Sequence, residues 1–287
     1  MTGPAGLRAA AVGLLTARAG LAVTGRVTGA RWQRTNFAGR PVSLLGGQVL
    51  AAAATGSAVL GAPPGRRAAA AVVGTVAGLV GGYDDLAGAR PEQARDKGLA
   101  GHLAALRAGR VSAGVVKVVG IGAAAGVAAV LSTDPAALHA PSRAARHQAG
   151  GRNRADAVLT LGLVAGTANL VNLLDLRPGR AGKVAVLLAA ATVGGPSGGL
   201  AAGPLGATAG VLPADLGERV MLGDCGANAL GALLGLRLAA LPGCPARTAL
   251  LTVVTALTLA SEKVSFTRVI ESTPGLRELD QLGRRRA

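Results

Sequence analysis

Aromatic residues are nearly missing from this sequence: one Trp, one Tyr and two Phe among 287 residues. Without Trp and Tyr no aromatic belts mark a membrane–water boundary, so membrane segments must be recognised from apolar length alone. Charge is also scarce. Only 15% of residues are charged, against about a quarter in an ordinary soluble domain, which leaves too few groups to face water. The two cysteines, Cys225 and Cys244, form neither a disulfide framework nor a zinc-type spacing. His102, His139 and His147 are scattered, which argues against a histidine metal centre.

What fills the chain instead is small and apolar. Half of the residues are hydrophobic, mostly Ala, Val and Leu, and 45 are glycine. Small residues let helices approach closely in lipid, where packing replaces the hydrophobic drive. A net charge of +16 would point to nucleic acid in a soluble protein. Here the excess is nearly all Arg and lies between long apolar runs, where loop cations set membrane orientation. No nucleic-acid partner is expected.

A spanning helix needs roughly 20 mostly apolar residues. Candidate spans lie at 5–25, 44–62, 67–83, 111–131, 157–174, 183–195, 198–213, 226–241 and 246–264. Residues Leu7 to Val23 read as a first anchor rather than a signal peptide, although Arg8 and Arg18 interrupt them. The sixth and seventh segments are short and broken by Gly and Pro, the pattern of a re-entrant or kinked piece. The expected fold is an all-α polytopic transmembrane bundle of about nine to ten spans, a single integral membrane domain over 1–287. With nine spans, most of the Lys and Arg fall on one side, which is then cytoplasmic. Of the 14 acidic residues, only Asp134 and Asp156 fall on the other. The basic stretch 132–155, with Arg143, Arg146, Arg152 and Arg154, runs against this pattern.

Three acidic groups sit at the cytoplasmic ends of these spans, where carboxylates are costly and usually have a task or a partner. Asp84 and Asp85 close the third span; as helix neighbours they diverge by about 100°, so one can face a metal or phosphate while the other organises the site. Asn169, Asn172 and Asp175 close the fifth. Their i, i+3, i+6 spacing puts them roughly on one helical face, suited either to a polar ligand or to hydrogen bonding between helices. Asp224 opens the eighth within Gly-Asp-Cys-Gly, where glycine permits close backbone approach and a helix N-terminus offers N–H groups to phosphate. Lys117 lies inside the fourth span, either snorkelling to headgroups or meeting a substrate phosphate. Gly120, Gly122 and Gly126 lie in that span with no strand before them, so they read as helix packing and not as a dinucleotide loop.

Together the stretches TNFAGRPVSLLGG (35–47), GGYDDLAG (81–88), KGLAGHLAALRAGRVSAGVVKVVGI (97–121), NLVNLLDLRPGRAGK (169–183) and MLGDCGANALG (221–231) resemble the polyprenyl-phosphate sugar-1-phosphate transferases. This is glycosyltransferase family 4, which includes phospho-N-acetylmuramoyl-pentapeptide transferase and the bacterial N-acetylglucosamine-1-phosphate transferase. The resemblance implies attack of a polyprenyl phosphate on the β-phosphate of a UDP-sugar, releasing UMP at the cytoplasmic face of the cell membrane. It implies Mg²⁺ as cofactor, which suits a site of oxygen ligands, with membrane lipid around the protein. Carried over by motif, Asp84, Asp85 and Asp224 are catalytic, one of the first two as general base, and Asp224, Asp85 and Asp175 hold the metal. Asn169, Asn172, Asp175 and Lys117 bind substrate, joined by Asn36 and Arg40 from the first cytoplasmic loop.

The sequence departs from the family in places. The histidine-bearing loop near the C-terminus is replaced by SEKVSFTRVIESTPGLRELDQLGRRR (261–286). Asp175 is followed by Leu176-Arg177-Pro178 rather than by Gly and a later Asp, and Ala227 stands where Ser is usual. Two other classes fit the composition. One is a non-catalytic scaffold or lipid-phosphate binder that keeps the fold. The other is a transporter, suggested by the broken helices at 183–213 but disfavoured by acidic groups gathered at one face. The glycine-rich spans are compatible with a homodimer.

Overall fold

The structure, a computed structural model, describes residues 3–27, 29–87, 107, 109, 112–132 and 143–285, with only the backbone described for 143–152. The 97–106 part of the third quoted stretch, His102, His139 and Asp134 lie outside the described residues, as do the side chains of Arg143, Arg146, His147 and Arg152.

Helix dominates. The order is α1 (Pro4–Thr24), the short strands β1 (Gln33–Thr35) and β2 (Pro41–Ser43), α2 (Leu45–Gly61), α3 (Pro64–Ala87) and α4 (Ala113–Leu131). Then come α5 (Arg143–Leu174), α6 (Arg180–Thr192), α7 (Gly199–Leu216), α8 (Gly223–Ala239), α9 (Cys244–Ser261), α10 (Phe266–Ser272) and α11 (Leu276–Gln281). The antiparallel β1–β2 hairpin pairs Gln33 with Ser43 and Thr35 with Pro41, a small addition to the expected all-α fold. Start signals sit where backbone N–H groups would otherwise be orphaned: Ser112 accepts from Val115 N at 3.3 Å, and Ser265 from Arg268 N at 3.4 Å.

Contacts between helix ends give α1 to α9 alternating directions. At one end, Lys117 of α4 meets Asp84 of α3 and Asp224 of α8. At the other, Gly61 of α2 abuts Gly199 of α7, Arg237 of α8 donates to Thr192 O at the end of α6, and Arg247 of α9 pairs with Asp156 of α5. From Arg66 to Asp84, α3 alone rises about 27 Å at 1.5 Å per residue, close to the thickness of a bilayer's hydrocarbon core. Both α6 and α7 run between the two ends of the bundle, and α7 stays helical through Pro204 and Pro213.

The helix α8 is the axis. Every residue from Gly223 to Ala239 is buried except Asp224. Around it, four helical stretches are long and apolar enough to cross a membrane: α1, α4, Asn153–Leu174 of α5, and α9. They leave large apolar side chains outward; α9 buries only Val254, while Val253, Leu257 and Leu259 are exposed. In water such surfaces would drive association. They mark the chain as a membrane protein. Close packing uses glycine at chosen points: a Cβ on Gly226 would stand 2.8 Å from Gly47 Cα. Of the three α4 glycines read as packing positions, Gly120, Gly122 and Gly126, only Gly120 packs tightly, against Val80; Gly122 and Gly126 have nothing within 4 Å among the described residues, so helix packing accounts for one of the three.

Candidate functional site

Three buried N–H groups at the start of α8 explain half of the acidic cluster. The first N–H groups of a helix have no partner within it and carry partial positive charge. Asp85 on α3 accepts from Asp224 N at 2.9 Å through Oδ1 and from Cys225 N at 3.0 Å through Oδ2. Asp175, just past the end of α5, accepts from Gly223 N. Gly223 has φ +57°, and a Cβ there would lie 2.8 Å from Asp85 Oδ1, so only glycine lets the carboxylate reach the helix end. Two distant stretches thus cap one helix.

The other two aspartates share a cation. Lys117 Nζ donates to Asp84 Oδ2 at 2.6 Å and also to Asp224 Oδ2. The three side chains retain 18, 17 and 25% exposure respectively, so the triad is reachable from outside. Adjacent on α3, Asp84 and Asp85 point apart as helix geometry requires, one to Lys117 and one to α8. Arg34 of β1 donates to the carbonyl of Asp85 and ties the hairpin to the end of α3.

The remaining sequence-derived candidates divide. Asn169 is exposed and Asn172 half-buried, and neither side chain hydrogen-bonds among the described residues, so they do not act there as links between helices. Asn36 and Arg40 are occupied within the hairpin. Asn36 Oδ1 accepts from Ala38 N and Arg40 N at 2.9 and 3.0 Å, while its amide donates to the buried Glu218 and Arg40 pairs with the same carboxylate at 3.4 Å.

Beside Asp175 lies a cavity of about 340 Å³ lined by Asn36, Phe37, Arg177, Asp215 and Glu218 among others. Arg177 stacks on Phe37 at 4.4 Å from the ring centre. Burial pushes the Asp175 carboxyl well above the usual range, and the neighbouring Asp215 adds to this. Sequence reasoning missed Asp215 and Glu218, which lie between two apolar segments with no spacing signal. It also missed the docking of the C-terminal segment. Residues 265–285 form a strap across the α5–α6 loop. Arg180 is held by Asp280 at 2.8 and 3.0 Å and by Thr267 at 2.8 Å, and Arg284 reaches Pro178 O at 3.0 Å.

The donor set suits one kind of metal. Among the described residues no three carboxylate, thiolate or imidazole groups converge as a ready-made cage. Magnesium rarely needs one; it keeps waters and takes one or two carboxylates plus substrate phosphates. Asp84 and Asp224, the partly exposed pair that share Lys117, fit that requirement.

The fold and site therefore define a helical membrane protein with a lysine-bridged aspartate cluster at one end of the bundle. No protein-family model matches the chain, and no curated protein matches it.

Proposed function

We propose that this protein is a polyprenyl-phosphate sugar-1-phosphate transferase of the family its motifs resemble, with nine spans in the cell membrane and the aspartate cluster on the cytoplasmic side. The carrying observation is the meeting of Asp84, Asp85, Asp175 and Asp224, from three remote stretches, around Lys117 and the first turn of α8. An oxygen of polyprenyl phosphate attacks the β-phosphorus of a UDP-sugar, the bond from that phosphorus to the bridging oxygen breaks, and UMP leaves with that oxygen. Asp84 and Asp224 would hold Mg²⁺, which would offset the negative charge of the reacting phosphates. Lys117 supplies a cation to the same phosphates, and the amides of Asn169 and Asn172 face the nucleotide-sugar. Asp85 and Asp175 keep the start of α8 in place. No general base is required, because a phosphate monoester is already largely ionised near pH 7.

The test is direct. Purified protein with polyprenyl phosphate, Mg²⁺ and a panel of UDP-sugars is expected to release UMP, and Asp224→Asn to cut the rate by at least about 100-fold, the scale of losing a main electrostatic stabiliser. Folded protein that releases no UMP with any donor is instead a non-catalytic binder of lipid phosphate.

A further inference from the structure

Arg18, one of the two arginines that break the apolar pattern of α1, has a place in the structure. Arg18 lines a cavity of about 470 Å³, the larger neighbour of the one beside Asp175, whose walls come from α1, α2, α7 and the segment after α7. Arg219 lines it too, and among the described residues no carboxylate does. Neither guanidinium makes a hydrogen bond or ion pair among the described residues. The other walls are apolar, with Leu21, Val27, Leu45 and Pro213 among them. Arg18 lies six residues, about 9 Å, before the end of α1, and Arg219 follows the end of α7. Cations inside a membrane segment face a partner or a polar path, and among the described residues no acidic partner reaches these two.

We propose that this cavity holds the phosphate group of an anionic phospholipid in the leaflet facing the aspartate cluster, with Arg18 and Arg219 as its two ligands. Guanidinium groups match phosphate oxygens in paired hydrogen bonds, and two of them on one phosphate leave a local charge of +1 beside the surface. The apolar walls receive the first part of the acyl chains. A free anion would gain the same two arginines and nothing from those walls, so the occupant is a lipid. The site shares Val220 as a wall with the 340 Å³ cavity, and it does not depend on the transferase reading.

The experiment uses the full chain, delipidated in neutral detergent, with native mass spectrometry and thermal unfolding as readouts. Phosphatidylglycerol is expected to be retained at least tenfold more tightly than phosphatidylcholine and to raise Tm. Arg18→Leu and Arg219→Gln are each expected to reduce that preference about tenfold and to abolish the Tm gain. Arg8→Gln, which removes the same charge at the far end of α1, is expected to leave both unchanged. Arg18→Leu removes a charge from an apolar helix, so its lipid-free Tm should equal or exceed that of the wild type, which separates lost binding from lost folding. Equal retention of the two lipids, or equal losses in all three variants, overturns the proposal. So does inorganic phosphate displacing the lipid at its own concentration, which would mark a free-anion site.

Discussion

At the scale of single residues, the four aspartates do different work although they look alike in sequence. Asp85 and Asp175 answer the orphan N–H groups of α8; Asp84 and Asp224 answer Lys117. The lysine thus occupies the position between the two carboxylates best placed for a metal. Two like-charged ligands cannot share it at full strength, since a unit charge about 4 Å away is worth roughly 1–4 kcal/mol at intermediate screening. Lys117→Met is therefore expected to tighten Mn²⁺ binding by about tenfold, read by electron paramagnetic resonance; weaker binding would mean the lysine shapes the site instead of competing for it. Asp175 offers a second test. Its raised pKa means that the folded state resists its ionisation, so the group opposes folding once pH exceeds the unfolded value near 3.9. Asp175→Asn keeps an acceptor for Gly223 N and is expected to raise Tm at pH 7 while leaving it nearly unchanged near pH 3.

At the scale of elements, the strap of α10 and α11 is fastened by charge rather than by apolar area. The Arg180–Asp280 pair is buried, with 3 and 5% side-chain exposure, and removing one partner of such a pair costs about 3 kcal/mol because the other charge is left without compensation. Asp280→Ala is expected to free residues 276–281, seen as faster amide hydrogen exchange there and not in α8. Burial pushes the Asp280 carboxyl up, but Arg180 and Arg284 more than offset this and hold it below the usual range. With a depressed folded value, the stabilisation is complete above about pH 4 and disappears as pH falls through the folded pKa. Strap exchange should therefore accelerate only in strong acid, beyond the intrinsic pH effect. Because α10 and α11 are short and polar, nothing in their hydropathy announced this docking; the signal was the buried Arg180 beside a Pro-Gly turn, which acquires meaning only once Asp280 is found beside it.

For the whole molecule, the two ends differ in chemistry. One gathers the aspartates, while at the other arginines close helix C-termini: Arg67 donates to Ala62 O, Arg237 to Thr192 O and Gly194 O, and Arg247 to Ala239 O. Those carbonyls carry the negative end of each helix dipole, so cations there have structural partners and do not contradict an orientation set by loop charge. The native cysteines report this polarity. Cys225 is buried at the aspartate end, and Cys244, exposed, opens α9 at the other. A membrane-impermeant maleimide applied to intact cells is expected to label Cys244 and spare Cys225. Labelling of Cys244 only in inverted vesicles would reverse the orientation proposed here.

Composition and apolar run length by themselves determined that this chain lives in lipid and is built of helices, because burial of backbone polar groups in hydrocarbon leaves few alternatives. They also located most helices within a few residues, and motif order singled out Asp84, Asp85, Asp175, Asp224 and Lys117. Tertiary structure alone decided which aspartate meets which partner, since that depends on α3, α4 and α8 being packed with Lys117 facing two carboxylates and Asp85 facing N–H groups. It alone decided that α8, with its internal Arg237 and Asn228, is the buried axis and not a lipid-facing span. Periodicity records what a helix face is made of; what that face touches is fixed only when the other helices close around it.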